Sequence, residues 1–156
     1  MSLNNREIQL EDVIQIIKEK LDIGGTVTFT PHGTSMFPML RSGEDVVVLK
    51  KPNGRLNYLD VALYRRKNGD FVLHRVIGFE RNGNYIFCGD NQFNKERGIT
   101  DDDIIAVMTA FYRKGKHYTN NSLSYRIYMS VWEHLKSPIR ILCSAHRIKK
   151  SQKKKR

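Results

Sequence analysis

Ser35 lies in the stretch HGTSMFPML, after a glycine-led turn and three residues before a proline. Pro31, Gly33 and Pro38 constrain the backbone on both sides. A catalytic serine needs such rigidity, because its oxygen must be held near attack geometry. Its own backbone N–H can then point at a developing oxyanion. Serine is a poor nucleophile without a base in hydrogen-bond reach, and a turn serine bonded to its own backbone is the plainer alternative. His74 is the candidate base. In DFVLHRVIG, strict alternation puts Val72, His74 and Val76 on one face and Leu73, Arg75 and Ile77 on the other. A histidine between valines is expected to point inward or into a cleft, where a partner sets its pKa and tautomer. A buried histidine bonded to a carbonyl is the alternative. His32 sits in a loop three residues from Ser35 and is badly placed to hold a fixed hydrogen bond. His117, His134 and His146 lie in the turn and tail, and no pair has metal-ligand spacing, so no metal and no cofactor is expected. Asp90, in YIFCGDN, ends a strand. It reads either as part of a plain turn with Gly89 and Asn91, or as the acid that orients His74 and stabilises its imidazolium.

The elements that must position these residues are legible from period. Leu10, Val13, Ile14, Ile17 and Leu21 recur at helical spacing and Gly24–Gly25 follows, which predicts a helix over roughly 10–22. TVTFT, DVVVL, LDVALYRR, DFVLHRVIGF, NYIFCGD and IIAVMTAFYR then read as strands, separated by PNG, KNGD, RNGN and RKGK. TDDD at 100–103 reads as a solvated turn or the cap of a short helix. The fold class is mainly β: an antiparallel, hairpin-rich domain with a closed or coiled sheet. The expected division is an N-terminal amphipathic helix (1–25), a β-rich domain (26–116) and a basic helical tail (122–156).

The 156 residues carry a net charge of +11, unevenly spread. Residues 1–122 hold 17 Lys/Arg against 15 Asp/Glu, and residues 123–156 hold 10 against 1. In the tail, Tyr125, Tyr128, Met129, Trp132 and Leu135 share one helical face, followed by the polybasic KKSQKKKR. That combination suits an anionic membrane surface. Nucleic acid rewards the same charges, and an ordinary C-terminal helix with a solvated tail is the third reading. No run approaches the ~20 apolar residues of a membrane helix, and MSLNNREIQLEDV lacks the order of a secretory signal. Cys88 and Cys143 fit reduced thiols rather than a disulfide framework. The expected address is the cytoplasm, with the tail peripheral at the inner face of a membrane.

In order and spacing, GTSMFPML, EDVVVLK, LDVALYR, FVLHRVIG and YIFCGDN resemble the boxes of the type I signal peptidases, whose superfamily includes the self-cleaving SOS-repressor domain. The resemblance covers about residues 26–112. The residue before RVIG is lysine in the common bacterial enzymes and histidine in the archaeal and endoplasmic-reticulum branch, so His74 looks like the Ser–His branch. The match implies Ser35 as nucleophile, His74 as general base and Asp90 as supporting acid. It also implies a serine endopeptidase that binds an extended peptide along a sheet edge. Val27 and Phe29 of TVTFT, with Met36 beside the nucleophile, are the expected substrate contacts. The chain departs from the family pattern at four points. No stretch of it reads as the transmembrane anchor that membrane-bound members carry. Glu44 is inserted in SGEDVVV, and Leu59 rather than glycine precedes Asp60. Gly33 stands where many bacterial members have a serine that donates to the oxyanion, which leaves the hole to the Ser35 N–H and Thr34. The second acid is either Glu96 or Asp101. Two other functions fit the residues: a peptide- or partner-binding module without turnover, and a repressor-like regulator whose tail meets DNA.

Overall fold

The N-terminal helix forms where the 3.6-residue period predicts it. In the computed structural model, which describes residues 10–134, α1 spans Leu10–Asp22. Ile14 and Leu21 are buried and Ile17 packs beside them, each full burial contributing about 1.5–3 kcal/mol. The helix stops at Gly24, whose φ of 79° lies in the left-handed region, while Gly25 N–H donates to Lys20 O at 3.0 Å.

Eight strands follow: β1 (Val27–Phe29), β2 (Val46–Lys50), β3 (Val61–Arg65), β4 (Phe71–Phe79), β5 (Tyr85–Cys88), β6 (Glu96–Ile99), β7 (Ile104–Arg113) and β8 (Lys116–Thr119). They make one antiparallel sheet, not closed, in the order β1-β2-β7-β3-β4-β5-β6, with β8 paired to the far end of β7. Six of these are the strands expected from the sequence. The sheet runs on to Thr119 rather than ending at 116. A short 3-10 turn at Asp101–Asp103 is capped by Thr100, as the TDDD stretch suggested. A second helix, α2, occupies 123–134.

Alternation along β3 splits the core in two. Val61 and Leu63 join a large cluster with α1, α2, β2, β7 and Met36, Met39 and Leu40 of the β1–β2 connection. Ala62 and Tyr64 join a smaller one with Val76, Tyr85 and Phe87. The aromatic face of α2 belongs to the first cluster: Tyr125, Met129 and Trp132 are buried there, and Tyr128 packs beside them. This corrects the expectation that this face lies on a membrane. Burial against the protein's own sheet removes it from any outside surface. Leu135, Cys143, His146 and the polybasic tract lie outside the described residues. Among the described residues, no helix is long and apolar enough to cross a membrane.

Leu59 has a φ of 74°, in the left-handed region where the family pattern would place glycine. This conformation costs roughly 1–2 kcal/mol. It is held by Leu59 N–H donating to Val76 O and by Leu59 O accepting from Arg75 Nη1, both at 2.9 Å, while the side chain packs on the core.

Candidate functional site

The turn that carries Ser35 is fastened at three places. Its base closes with Gly43 N–H donating to Pro31 O at 3.0 Å. Its far end is clamped by Asp45, fully buried, which accepts from Arg41 N–H (2.9 Å), Arg41 Nη2 (2.8 Å) and Arg113 Nε (3.0 Å). Burial pushes the Asp45 carboxyl up, but hydrogen bonds from Arg41 and Arg113 outweigh it and hold it below the ordinary range. Arg113 Nη2 also donates to Pro38 O at 3.1 Å, tying β7 to the turn. Met36, Met39 and Leu40 bury their side chains in the core. The third fastening is to the segment after β5, where Asn91 N–H donates to Ser35 O at 2.8 Å.

Gly89 sets the approach of these two segments. A Cβ there would lie 2.6 Å from Ser35 O and 3.1 Å from Ser35 Cβ, so no larger residue fits without moving the turn. The β4–β5 register pairs Arg75, the residue after His74, with Cys88, the residue before Gly89. Ser35 thus packs on the segment that follows β5, whose last pairing is with the residue next to His74. Among the described residues the Ser35 hydroxyl has no hydrogen-bond partner, and neither does its backbone N–H. No hydrogen bond joins Ser35 to His74 in this structure. Thr34 is exposed and its carbonyl accepts from Phe37 N–H at 3.1 Å.

His74 is 1 % exposed. Its Nδ1 lies 3.2 Å from Glu96 Oε1 and 3.3 Å from the Tyr64 hydroxyl. Glu96 is gripped by Arg66, whose Nε donates to Oε2 at 2.8 Å and whose Nη2 donates to Oε1 at 2.5 Å. Burial drives the His74 pKa below its ordinary value, and the Glu96 charge only partly offsets this. Burial also pushes Glu96 up, but Arg66 and the Tyr64 hydroxyl together hold it below its ordinary value. The pair at neutral pH is therefore a carboxylate and a neutral imidazole. In the tautomer with the proton on Nδ1, facing the Tyr64 hydroxyl and Glu96, Nε2 carries the free lone pair. A cleft of about 570 Å³, lined by Arg66, Asn68, Gln92, Phe93, Asn94 and Glu96, opens at the acid's end.

Asp90 does not orient His74. Its carboxylate takes a bidentate pair from Arg75, Nε to Oδ1 at 2.8 Å and Nη2 to Oδ2 at 2.7 Å, and a third bond from the Tyr128 hydroxyl at 3.0 Å. The reason is parity: His74 and Arg75 are neighbours on β4 and face opposite sides, and Asp90 faces the arginine. Glu96, one of two acids weighed from the sequence, meets His74, whereas Asp101 accepts from Tyr85 on another part of the surface. Of the expected substrate contacts, Met36 (5 % exposed) and Val27 (9 %) point into the core and Phe29 is half-buried, so a peptide on β1 would meet mainly its backbone edge. Tyr64 and Arg66 were missed. The signal lay in the β3–β4 pairing: Ala62 opposes His74, so Tyr64, two residues on, shares its face. Among the described residues no cluster of His, Cys, Asp and Glu could hold a metal. Compared with known proteins, the chain matches no family model, and no curated protein matches it.

Proposed function

We propose that this chain is a Ser–His serine endopeptidase of the signal-peptidase type, with Glu96 as the acid that positions His74. The observation that carries the reading is a buried histidine with a carboxylate 3.2 Å from Nδ1, on the strand whose Arg75 pairs with Cys88, while a rigid serine turn packs against the next residue, Gly89. In this reading His74 Nε2 takes the Ser35 proton as Oγ attacks a peptide carbonyl. The imidazolium then protonates the leaving amine, and the same histidine activates water to resolve the acyl-enzyme. The unbonded Ser35 N–H is placed to stabilise the developing oxyanion. The outer edge of β1, which pairs only with β2, offers main-chain groups to an extended peptide.

The test is mass-spectrometric cleavage profiling of an extended-peptide library with wild type, Ser35→Ala and His74→Ala. Wild type is expected to cut at defined sites, and each variant to lose at least ~1,000-fold in kcat/KM while melting like the parent. Cleavage by Ser35→Ala at the wild-type rate would remove that residue from the chemistry. The unpartnered Ser35 hydroxyl favours a second reading, a peptide-binding module without turnover. It predicts saturable peptide binding that survives Ser35→Ala, with no covalent intermediate.

A further inference from the structure

With its aromatic side spent on the core, α2 turns a second apolar stripe outward. Leu123, Ile127 and Val131 recur every fourth residue and are 71, 55 and 49 % exposed. The spacing stacks them on one helical face, opposite Tyr125, Met129 and Trp132. The chemistry of what covers this stripe is written in the chain that follows it. Residues 135–156 hold nine Lys/Arg and no Asp/Glu. An apolar stripe followed in sequence by a cationic segment without acidic residues is complementary to a surface that is apolar beneath and anionic above.

We propose that the exposed stripe of α2 is a peripheral docking surface for an anionic lipid bilayer, with the basic residues that follow it in the sequence supplying the attraction for phosphate. Leu123, Ile127 and Val131 enter the headgroup–acyl boundary while the lysines and arginines stay among the phosphates. Neither signal suffices alone, since three side chains are a small apolar area and surface charge is screened by salt. Together they give reversible attachment. The buried side of α2 keeps its grip on Arg75 and Asp90, through the Tyr125 and Tyr128 hydroxyls, so attachment leaves the packing of the helix untouched. This inference is independent of the peptidase reading.

The experiment is co-sedimentation of the full chain with phosphatidylcholine vesicles, with and without phosphatidylglycerol, over a salt series. The mixed vesicles are expected to bind the protein, salt to weaken the binding, and pure phosphatidylcholine to bind about tenfold less or weaker still. Ile127→Asp with Val131→Asp should lower the partition onto mixed vesicles by about tenfold while the melting temperature holds, because neither side chain is buried. A second variant removes charge from the sequence after α2: Lys153→Gln, Lys154→Gln and Lys155→Gln should weaken binding and flatten its salt dependence. Undiminished binding by the aspartate pair, or equal binding to both kinds of vesicle, would overturn the proposal. So would duplex DNA displacing the protein from vesicles while the aspartate pair still binds DNA, which would assign the tail to nucleic acid. A concentration-dependent dimer abolished by the aspartate pair, without vesicle binding, would instead give the stripe to a second copy.

Discussion

Glu96→Gln is expected to lower kcat/KM for peptide cleavage by roughly a thousandfold without unfolding the protein. Glutamine keeps the shape of the side chain but removes the charge that stabilises an imidazolium at His74, and its amide can present a donor to Nδ1 in place of an acceptor. The wrong tautomer then puts the proton on Nε2, where the lone pair is needed. The pH profile separates this from a merely structural loss. Burial already sets the His74 pKa below its ordinary value and Glu96 pulls it back up, so the acid limb of kcat/KM should fall below the usual ~6.5 in wild type and lower still in Glu96→Gln. Stability follows the same sign. A histidine whose pKa is depressed on folding binds fewer protons in the native state, so its contribution is complete above the unfolded pKa of about 6.5 and is lost as pH falls towards the folded value. Glu96, also depressed on folding, adds a loss of the same sign at lower pH. Unchanged activity and an unshifted acid limb in Glu96→Gln would sink the positioning role.

Breaking the Arg75–Asp90 pair should cost the most stability of any single change at the site. Both side chains are fully buried, and removing one partner leaves the other charged in an apolar interior, a loss of about 3–5 kcal/mol. Against a typical domain stability of about 5–15 kcal/mol, that is a large fraction. Arg75→Met also strands Leu59 O and the Tyr125 hydroxyl. Asp90→Asn strands the guanidinium and weakens the bond from Tyr128. Arg75→Met combined with Asp90→Leu should recover part of the loss, because no uncompensated charge remains. Urea denaturation of the two singles and the double, read as a double-mutant cycle, gives the coupling. Single losses below about 1 kcal/mol would show the pair to be solvated in solution. Because the pair joins β4, the Ser35 region and α2, the singles should also speed amide exchange in 123–134.

The helix and six of the strands were readable because their apolar residues repeat with one clear period. β6 was not, since ERGI has little strand character and owes its place to pairing with β5. β8 follows β7 through the tight Lys114–Gly115 turn, and KHYT carries no apolar alternation. At the site, Ser35 and His74 stood out by type and setting. The identity of the acid did not, because it depends on which side of β4 each neighbour meets. Strand parity already put Arg75 on the face opposite His74, and Asp90 lies two residues beyond Cys88, the strand partner of Arg75, which makes that arginine a strong competitor for it. The aromatic face of α2 carried a related ambiguity. An amphipathic helix shows the same pattern whether its apolar side meets a sheet or a lipid, and only packing distinguishes them.

The position of β7 has a consequence for how the protein is made. It lies between β2 and β3, and joins the β1–β2 hairpin to the β3–β6 meander through pairings such as Val47 with Phe111 and Leu63 with Ala106. Ser35 belongs to the first of these parts, and His74 and Glu96 to the second. During synthesis the chain emerges in sequence order, so both parts leave the ribosome before the strand that unites them. Until residues 104–113 are out, the halves lack the central staple of the sheet, and Ser35 and His74 sit on pieces with no shared backbone ladder. On the proposed peptidase reading, a nascent chain is thus without an assembled Ser35–His74 site for most of its translation, and the site forms late, when one strand closes the gap.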